Sequence, residues 1–496
     1  MTNAAEHQAS GPHSCHLNAP ERSATKMRRV LNPAGVVLLT FSALSPASAF
    51  FISGDALLHL AGTGAPLAFL AGGLAQALLA LLYSEIGAAY PRAGGTYPGL
   101  AALLGPAVTF PYVVITIPTL FASVAFISLG LGNYVRVLAP EVPLFGVSAL
   151  AMLLACGIAV LNIRIGALVT GAFLALEMVA LAAIAVVGAL HPVRPLPEVL
   201  LHPVLLDHGA LAPLPFAALA LAFVSGIWAT GGASMAICFA EEMHEAQRKI
   251  GRVVAWTGAI AVVVISGPMI VMVLAIDDLP GVLGAESPIA AFLQRTGGPV
   301  LASVVSAGVI AAIFNCLIAT LMAAGRVCYA TGRDGLWIAA VNRTLGSLHA
   351  KFGSPVAATL IITAMSLAAL CAGERALLIF ISGNVSDFIL VSMAILIGRR
   401  RRQTGHHFKA PLHPFLPLFG FGIAGAAIVA DWMDVETGRP SILLLTGIFF
   451  AAAVYFRHRL REASARWLVA EVDAPAGGPR RDPPLIGAAV PAGLKG

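Results

Sequence analysis

Long apolar stretches separated by short polar segments make up most of the chain. Each stretch reaches roughly 18 residues or more, the length of a helix that crosses about 30 Å of hydrocarbon. The twelve stretches span approximately 30–52, 65–89, 106–135, 143–162, 166–190, 214–239, 253–276, 299–325, 355–373, 376–398, 412–431 and 440–456. The pattern therefore predicts an all-α polytopic membrane protein with 12 transmembrane helices.

Two of these stretches are interrupted near their centres. Ser45, Pro46, Ala47 and Ser48 break the first stretch, and the pair Gly231–Gly232 breaks the sixth. Proline lacks an N–H group and clashes with the carbonyl group four residues earlier, so it frees backbone groups inside the membrane. Interrupted helices in matching positions of two halves are the best sequence pointer to a transporter's binding site. These breaks are therefore our candidate substrate site.

The positions of the breaks also predict the organisation of the chain. Helices one to five and helices six to ten form two halves, each of which opens with an interrupted helix. Because five is an odd number, the second half is inverted relative to the first. We expect a tail (1–29), a first repeat (30–190), an extracytoplasmic loop (191–213), a second repeat (214–398), two extra helices (399–456) and a second tail (457–496).

Composition and charge agree with a membrane location. The chain is 58% hydrophobic and 11% charged, whereas soluble proteins are about 25% charged. With both termini in the cytoplasm, 25 of the 30 Lys and Arg residues lie on the cytoplasmic side, as the positive-inside rule requires. We expect a multi-pass protein of the cytoplasmic membrane without a cleavable signal peptide. The net charge of +6 is a topology signal, with membrane lipid and not nucleic acid as the partner.

Two carboxyl groups lie deep in predicted helices, Glu177 in helix five and Asp387 in helix ten. A charge at the membrane centre costs roughly 2.5–3.5 kcal/mol, and no Lys or Arg lies deep in a predicted span. Both groups should therefore face the interior. Proton coupling and binding of a cationic substrate group are the functional hypotheses, and a hydrogen-bonded packing role is the alternative. Asp387 is favoured for substrate contact because Ser382, Asn384 and Ser386 lie nearby.

Three stretches at cytoplasmic helix ends carry a family resemblance. They read YSEIGAAYPRAGGTYPGLAALLGP at 83–106, FAEEMHEAQRKIGRVV at 239–254 and AGRVCYATGRDGLW at 324–337. In this order they resemble the amino acid–polyamine–organocation superfamily of permeases. The resemblance implies a leucine-transporter-like fold and uptake or exchange of amino acids or related amines by alternating access. It also places the ligand at the unwound segments, 45–48 in helix one and Thr230 to Gly232 in helix six.

The chain departs from the family pattern at both breaks. The family usually has a glycine-rich turn in helix one, where this chain has serines and Pro46. The family often has an aromatic residue directly after the glycine that aligns with Gly232, where this chain has Ala233. The aromatic residue one turn earlier, Trp228, is our candidate to cover the substrate.

The resemblance further implies ion pairs that close the cytoplasmic side of the transport path. The alternative is ordinary charge at the membrane interface. The gate candidates are Glu85, Arg92, Glu241, Glu242, Arg326 and Arg333.

Other classes of protein are less compatible with the sequence. It contains no phosphate-binding loop, nucleophile elbow or metal-ligand spacing, so we expect a protein that is not an enzyme and has no cofactor or metal. Sodium coupling has no specific signal, which favours proton coupling or exchange of an amino acid or amine. A major-facilitator transporter also has twelve spans, but with a long central loop. A channel or sensor on the same scaffold is the other alternative, and the oligomeric state stays open.

Overall fold

The computed structural model describes residues 27–460. The predicted tails, 1–29 and 457–496, lie largely outside this part of the chain. The first half is helical apart from one hairpin. Its helices are α1 (Pro33–Leu44), α2 (Pro46–Ser48), α3 (Gly54–Ala61), α4 (Ala65–Ala89), α5 (Tyr97–Leu104), α6 (Pro106–Leu138), α7 (Leu144–Ala159), α8 (Ile163–Leu190) and α9 (Leu196–Leu201).

The second half follows the strands β1 (Val204–Asp207) and β2 (Ala210–Pro213). It consists of α10 (Phe216–Ala229), α11 (Ala246–Leu274), α12 (Leu279–Leu283), α13 (Pro288–Phe292), α14 (Gly298–Arg333), α15 (Ala339–Leu345), α16 (Val356–Leu370), α17 (Glu374–Ile381), α18 (Val385–Arg400), α19 (Phe415–Met433) and α20 (Gly438–Tyr455). Short 3₁₀ helices cover Gly62–Gly64, Ala233–Glu242 and Ser382–Asn384, and π-helical turns cover Ala49–Ser53, Leu293–Gly297 and Phe456–Leu460.

Many of these helices are suited to lipid. Within residues 27–460, nine segments are long and apolar enough to cross a membrane, and α7 and α16 are shorter apolar helices. The longest segment, Pro33–Ala89, turns at Gly62, whose φ of +53° suits glycine. Large apolar side chains such as Leu168, Val263 and Val300 are exposed, as expected where helices face hydrocarbon. The chain is a polytopic, mainly helical membrane protein.

The first helix is interrupted at Ser45, as the sequence predicts. Ser45 takes the left-handed conformation with φ 45°, and its N–H donates to the Phe41 carbonyl oxygen at 2.7 Å. Pro46 then opens α2, where its missing N–H removes no helical bond because the first N–H groups of a helix have no partner within it. Helical structure continues through the π turn into α3. One apolar stretch therefore becomes two helical segments that are joined at Ser45.

The sixth apolar stretch is interrupted at Thr230–Gly232, again where the sequence places the break. Helix α10 ends at Ala229, and the chain resumes as the 3₁₀ helix Ala233–Glu242. Gly232 has a φ of +124°, a conformation that residues with a Cβ rarely adopt. The glycine therefore permits the change of helix type.

The core is built around these two interrupted helices. α1 packs between α8 and α14, while α4 packs against α10 and α11. α14 also contacts α6, α7 and α16. The interrupted segments consequently lie inside the bundle.

The hairpin β1–β2 departs from the sequence expectation, which treats 191–213 as a loop. Thr63 ties it to the turn after α3, because the Val204 N–H donates to Thr63 Oγ1 at 2.8 Å and the Thr63 hydroxyl donates to the Val204 carbonyl oxygen at 3.3 Å. The hairpin turn uses His208 and Gly209, both with positive φ. It adds a small β element to a helical protein.

Candidate functional site

The two helix breaks touch each other inside the bundle. A Cβ built on Gly232 would lie 3.4 Å from Cα of Leu44, the last residue of α1. Gly231 lies against the side chain of Gln76 on α4, whose Oε1 atom is buried without a hydrogen-bond partner. The two helix breaks and an unpaired side-chain acceptor therefore meet at one place.

A carboxyl group from the fifth predicted helix lies at the first break. Glu177 on α8 is fully buried. Its Oε2 lies 3.2 Å from Ser45 Oγ, and its Oε1 accepts from Asn315 Nδ2 at 2.7 Å. The backbone N–H of Ala47 also donates to it. The structure thus places Glu177 in the interior, as the cost of a charge facing lipid predicts.

Ser45 is the centre of this cluster. Its Oγ lies 2.7 Å from Ser48 Oγ and 3.3 Å from the Ala312 carbonyl oxygen, in addition to its contact with Glu177. A hydroxyl group has one proton to donate, so Ser45 can serve only one of these acceptors at a time. The Ser45 hydroxyl can therefore switch partner when the charge of its neighbours changes.

Helix α14 contributes further acceptors at the same place. Asn315 is fully buried, and its Oδ1 has no hydrogen-bond partner among the described residues. The Cys316 thiol donates to the Ala43 carbonyl oxygen at 3.2 Å, next to the end of α1. An acceptor without a partner at this depth is suited to a ligand that brings a donor.

Asp387 on α18 forms a second, separate cluster. Its Oδ1 accepts from the hydroxyl groups of Tyr112 at 2.8 Å and Thr96 at 3.0 Å, and Tyr83 also bonds to this carboxyl group. The polar neighbours named from the sequence are not its partners. Asn384 is exposed, and the hydroxyl groups of Ser382 and Ser386 donate to the carbonyl oxygens of Leu378 at 3.5 Å and Gly383 at 2.7 Å. Within the described residues, the hydrogen-bond partners of Asp387 and those of Glu177 form two distinct sets.

Trp228 lies at the edge of this second cluster. Its ring stacks on that of Phe388, with centroids 5.6 Å apart and an interplanar angle of 30°. Thr230, two residues further along, is buried and donates from its hydroxyl to the Gly226 carbonyl oxygen at 2.8 Å. Trp228 therefore connects α10, just before the break, with α18.

Four of the gate candidates form two ion pairs. Arg326 Nε and Nη2 lie 2.6 and 3.2 Å from the carboxylate oxygens of Glu242, and both side chains are at most 4% exposed. Arg333 Nη1 lies 2.6 Å from Glu241 Oε1. Both pairs join α14 to the 3₁₀ helix that follows the second break.

Glu85 pairs with Arg399, which is not among the gate candidates named from the sequence. Its fully buried carboxylate is bound by Arg399, by Thr404 Oγ1 at 2.8 Å and by the Ala410 N–H at 2.9 Å. Arg92 forms no ion pair within residues 27–460, and its Nη1 is buried without a partner. Arg399 was not among the gate candidates because it is the first of four consecutive arginines, Arg399 to Arg402, and the sequence does not distinguish the one that faces the bundle.

The three motif stretches meet on the gate side of the bundle. Tyr97 of the first stretch hydrogen-bonds to Asp334 of the third, and Arg333 Nε donates to Asp334 Oδ1 at 2.9 Å. Arg333 also reaches Glu241 in the second stretch. The motifs are therefore connected by one network of charges and hydrogen bonds.

Ionisable groups outside the membrane-spanning segments add little to this site. The hydrogen bond from Lys249 lowers the pKa of Glu245 below its ordinary value, but both side chains are largely exposed. Among the described residues, no group of three or more His, Cys, Asp and Glu side chains could hold a metal ion.

Comparisons with known proteins agree with the motifs. A family model described as amino acid permease matches residues 31–454. The branched-chain amino acid permease BcaP of Lactococcus lactis subsp. cremoris (strain MG1363) is 26% identical over 455 residues, which cover 87% of this chain and 94% of the relative.

Two animal proteins are also similar. Cationic amino acid transporter 4 of Homo sapiens is 25% identical over 404 residues, and its counterpart in Mus musculus is 23% identical over 403 residues. Each alignment covers 77% of this chain but 61% of the animal protein, so the chain spans less than two thirds of their length. The family model, in contrast, covers most of this chain. The chain therefore belongs to the amino acid permease family, and it is a membrane transporter and not an enzyme.

Proposed function

We propose that the protein is a secondary active transporter that moves an amino acid or a related amine across the cytoplasmic membrane by alternating access. The contact between the two helix breaks carries this proposal. Leu44 and Ser45 at the first break meet Gly231 and Gly232 at the second break beside the buried carboxyl group of Glu177. The Oε1 atom of Gln76 and the Oδ1 atom of Asn315 are buried there without a hydrogen-bond partner. Such groups at membrane depth are found where a solute completes them.

We propose twelve transmembrane helices with both termini in the cytoplasm. Two features support this count. Pro33–Ala89 is 57 residues long, enough for two passes, and turns at Gly62. In addition, α7 and α16 are shorter apolar helices. The interrupted helices that open the two halves support an inverted five-plus-five repeat followed by α19 and α20. The distribution of Lys and Arg supports the orientation.

The two charged groups of an amino acid match the two helix ends at the first break. The carbonyl ends of α1 suit the ammonium group, and the N-terminus of the following helical segment suits a carboxylate. The substrate contacts in this proposal are residues 45–48 and 230–232, with Trp228 covering the side chain. Asn384, just before α18, and Asp387, in its first turn, are a second set of candidates, and Trp228 stacks on Phe388, the residue after Asp387.

We propose a branched-chain amino acid as the first ligand to test. The relative that aligns over 94% of its length is named as a branched-chain amino acid permease. A cationic side chain would need a free carboxylate, but three hydroxyl groups already occupy the Asp387 carboxyl group.

Closure of the cytoplasmic side would depend on the ion pairs Arg326–Glu242 and Arg333–Glu241. They join α14 to the segment after the second break, so the two elements must separate before a substrate can leave on that side. Glu85 would contribute through Arg399, which holds the segment after α18 against the end of α4.

A ligand screen tests the substrate proposal. Purified protein is heated with single amino acids, polyamines and small amines, and the unfolding midpoint is measured. A ligand present at 100 times its dissociation constant stabilises by about 2.7 kcal/mol. We expect leucine, isoleucine or valine to raise the midpoint, and D-leucine to serve as the matched control that does not. A screen in which none of these amino acids shifts the midpoint, while another solute does, would contradict the proposed substrate.

A further inference from the structure

We propose that Glu177 occupies the position of the substrate carboxylate in this structure, so that an amino acid binds only after Glu177 has taken up a proton. The inference rests on the proposed substrate site and adds an order of events to it. It also predicts that an amine without a carboxyl group binds without this protonation.

The Glu177 carboxylate lies at the start of a helical segment. Helical structure runs from Pro46 to Ala61 through the π turn Ala49–Ser53. The first N–H groups of such a segment have no partner within it and attract an anion. Pro46 has no N–H, and the Ala47 N–H already donates to Glu177. A side chain from α8 therefore fills the position that suits an anionic ligand.

Three hydrogen-bond donors surround this carboxylate. The Ser45 hydroxyl lies 3.2 Å from Oε2, the Asn315 amide donates to Oε1 at 2.7 Å, and the Ala47 N–H also donates. Hydrogen bonds from several donors favour the charged form of a carboxyl group and so oppose burial, which favours the neutral form. The cluster is thus arranged for a carboxylate, and the chain supplies its own.

A hydrogen-bond acceptor without a partner also lies beside Glu177. The buried Oδ1 of Asn315 has no hydrogen-bond partner, although the Nδ2 of the same amide group is bonded to Glu177. The Ala312 carbonyl oxygen lies close by, 3.3 Å from Ser45 Oγ. A free acceptor beside an ionised carboxyl group suits an ammonium group. The anion position is filled, and the acceptors for a cation are open.

The charge of the substrate then decides what can bind. Two carboxylates that share one buried site repel each other, so one of them must be neutralised. A proton added to a Glu177 oxygen turns the group into a donor, and the Ser45 hydroxyl can then turn to Ser48, to Ala312 or to the incoming carboxylate. One proton is therefore bound with each amino acid. An amine can instead pair with ionised Glu177 and needs no proton.

Few other ionisable groups face Glu177. Within residues 27–460, the neighbouring thiol of Cys316 is the titratable side chain that interacts with it. The other charged or titratable side chains on the elements packed against α8 are Arg248, Lys249 and Arg252 on α11, Arg295 before α14, Arg326, Cys328, Tyr329 and Arg333 in the last quarter of α14, and Cys156 on α7.

The test compares leucine with 3-methylbutylamine, which is leucine without its carboxyl group. Binding of each ligand to the purified full-length protein is measured from pH 8 to pH 5 at constant ionic strength. Neither ligand changes its own charge in this range. We expect the affinity for leucine to rise by up to about tenfold for each pH unit while Glu177 is ionised, because one proton is taken up. The affinity for the amine should stay level or fall as the pH falls.

Variants separate Glu177 from other carboxyl groups. Glu177→Gln should bind leucine with no pH dependence and lose affinity for the amine, whereas Glu177→Asp should keep the pH dependence. The matched control Asp431→Asn, on α19 and outside this site, should behave as the parent protein. If Glu177→Gln does not fold, the comparison of the two ligands on the parent protein still decides the question.

Three outcomes of these binding measurements would overturn the inference. Leucine binding that is independent of pH, or that changes in parallel with binding of the amine, overturns the inference. A pH dependence that survives in Glu177→Gln overturns it as well. If neither ligand binds at any pH, the proposed substrate has failed, and this inference fails with it.

Discussion

Gly232 lies directly against Leu44, so close that a Cβ on Gly232 would be 3.4 Å from the Leu44 Cα atom. This contact joins the two helix breaks, which are far apart along the chain. We expect the substrate to bind at this junction, which requires a glycine at position 232.

Gly232→Ala should damage transport. Its φ of +124° is unfavourable for any residue with a Cβ, at a cost of about 1–3 kcal/mol, and the new methyl group would also press on Leu44. We expect leucine uptake in proteoliposomes to fall by about tenfold or more, which corresponds to 1.4 kcal/mol.

The control for this change is Gly157→Ala. Gly157 lies in α7, and a Cβ there would meet no atom within 4 Å. Its uptake should equal that of the parent protein. Equal uptake by Gly232→Ala would show that the contact between the breaks is not required.

The buried ion pair Arg326–Glu242 should contribute to stability as a unit. Arg326→Met leaves Glu242 buried without its partner, which typically costs about 3–5 kcal/mol. We expect a clear fall in the thermal unfolding midpoint. The double variant Arg326→Met with Glu242→Met should regain part of this loss, because no uncompensated charge is left inside.

The exposed pair Lys249–Glu245 provides the comparison. Lys249→Met should leave the midpoint unchanged within error, since exposed ion pairs contribute little. A midpoint of Arg326→Met that matches that of Lys249→Met would mean that the buried pair does not hold α14 to the 3₁₀ helix.

Arg399 and Arg400 should differ strongly although they are neighbours. Arg399 binds the fully buried Glu85, whereas Arg400 is exposed. We expect Arg399→Met to lower the unfolding midpoint and the yield of folded protein, and Arg400→Met to have no effect.

Arg92→Met extends this test. The sequence analysis names Arg92 as a gate candidate near Glu85, but in the structure Arg399 binds the Glu85 carboxylate. Arg92→Met should therefore destabilise less than Arg399→Met. The reverse order would restore Arg92 as the partner of Glu85.

Trp228 should affect substrate affinity if it covers the ligand. Trp228→Ala removes the ring that stacks on Phe388 and opens the space beside the second break. We expect the KM for leucine to rise by about tenfold, or 1.4 kcal/mol. Trp256→Ala is the matched control, because Trp256 on α11 is 66% exposed. An unchanged KM in Trp228→Ala would leave Trp228 as a packing residue.

The features that depend on local chemistry were predictable from the sequence. Pro46 and Gly232 interrupt their helices through their own backbone properties, and the structure has both breaks where the sequence places them. Burial of Glu177 follows from the cost of a charge in lipid. The hairpin was missed although His208 and Gly209 provide a turn signal, because its strands are only four residues long.

The partners of the charged groups were not predictable in the same way. Glu85 could pair with any nearby arginine, and only the fold brings Arg399 to it from α18. Asp387 has polar neighbours on its own helix, yet its partners are Thr96, Tyr112 and Tyr83 from other elements. Periodicity indicates which face of a helix is buried but not which helix lies opposite.

The central claim is that the junction of the two breaks carries an amino acid across the membrane. Uptake of radiolabelled leucine into proteoliposomes under an inward pH gradient tests it most directly. We predict uptake that saturates, exceeds the equilibrium level and falls when unlabelled isoleucine or valine competes. Uptake no greater than in protein-free liposomes, or uptake that rises linearly without saturation as through a channel, would contradict the claim.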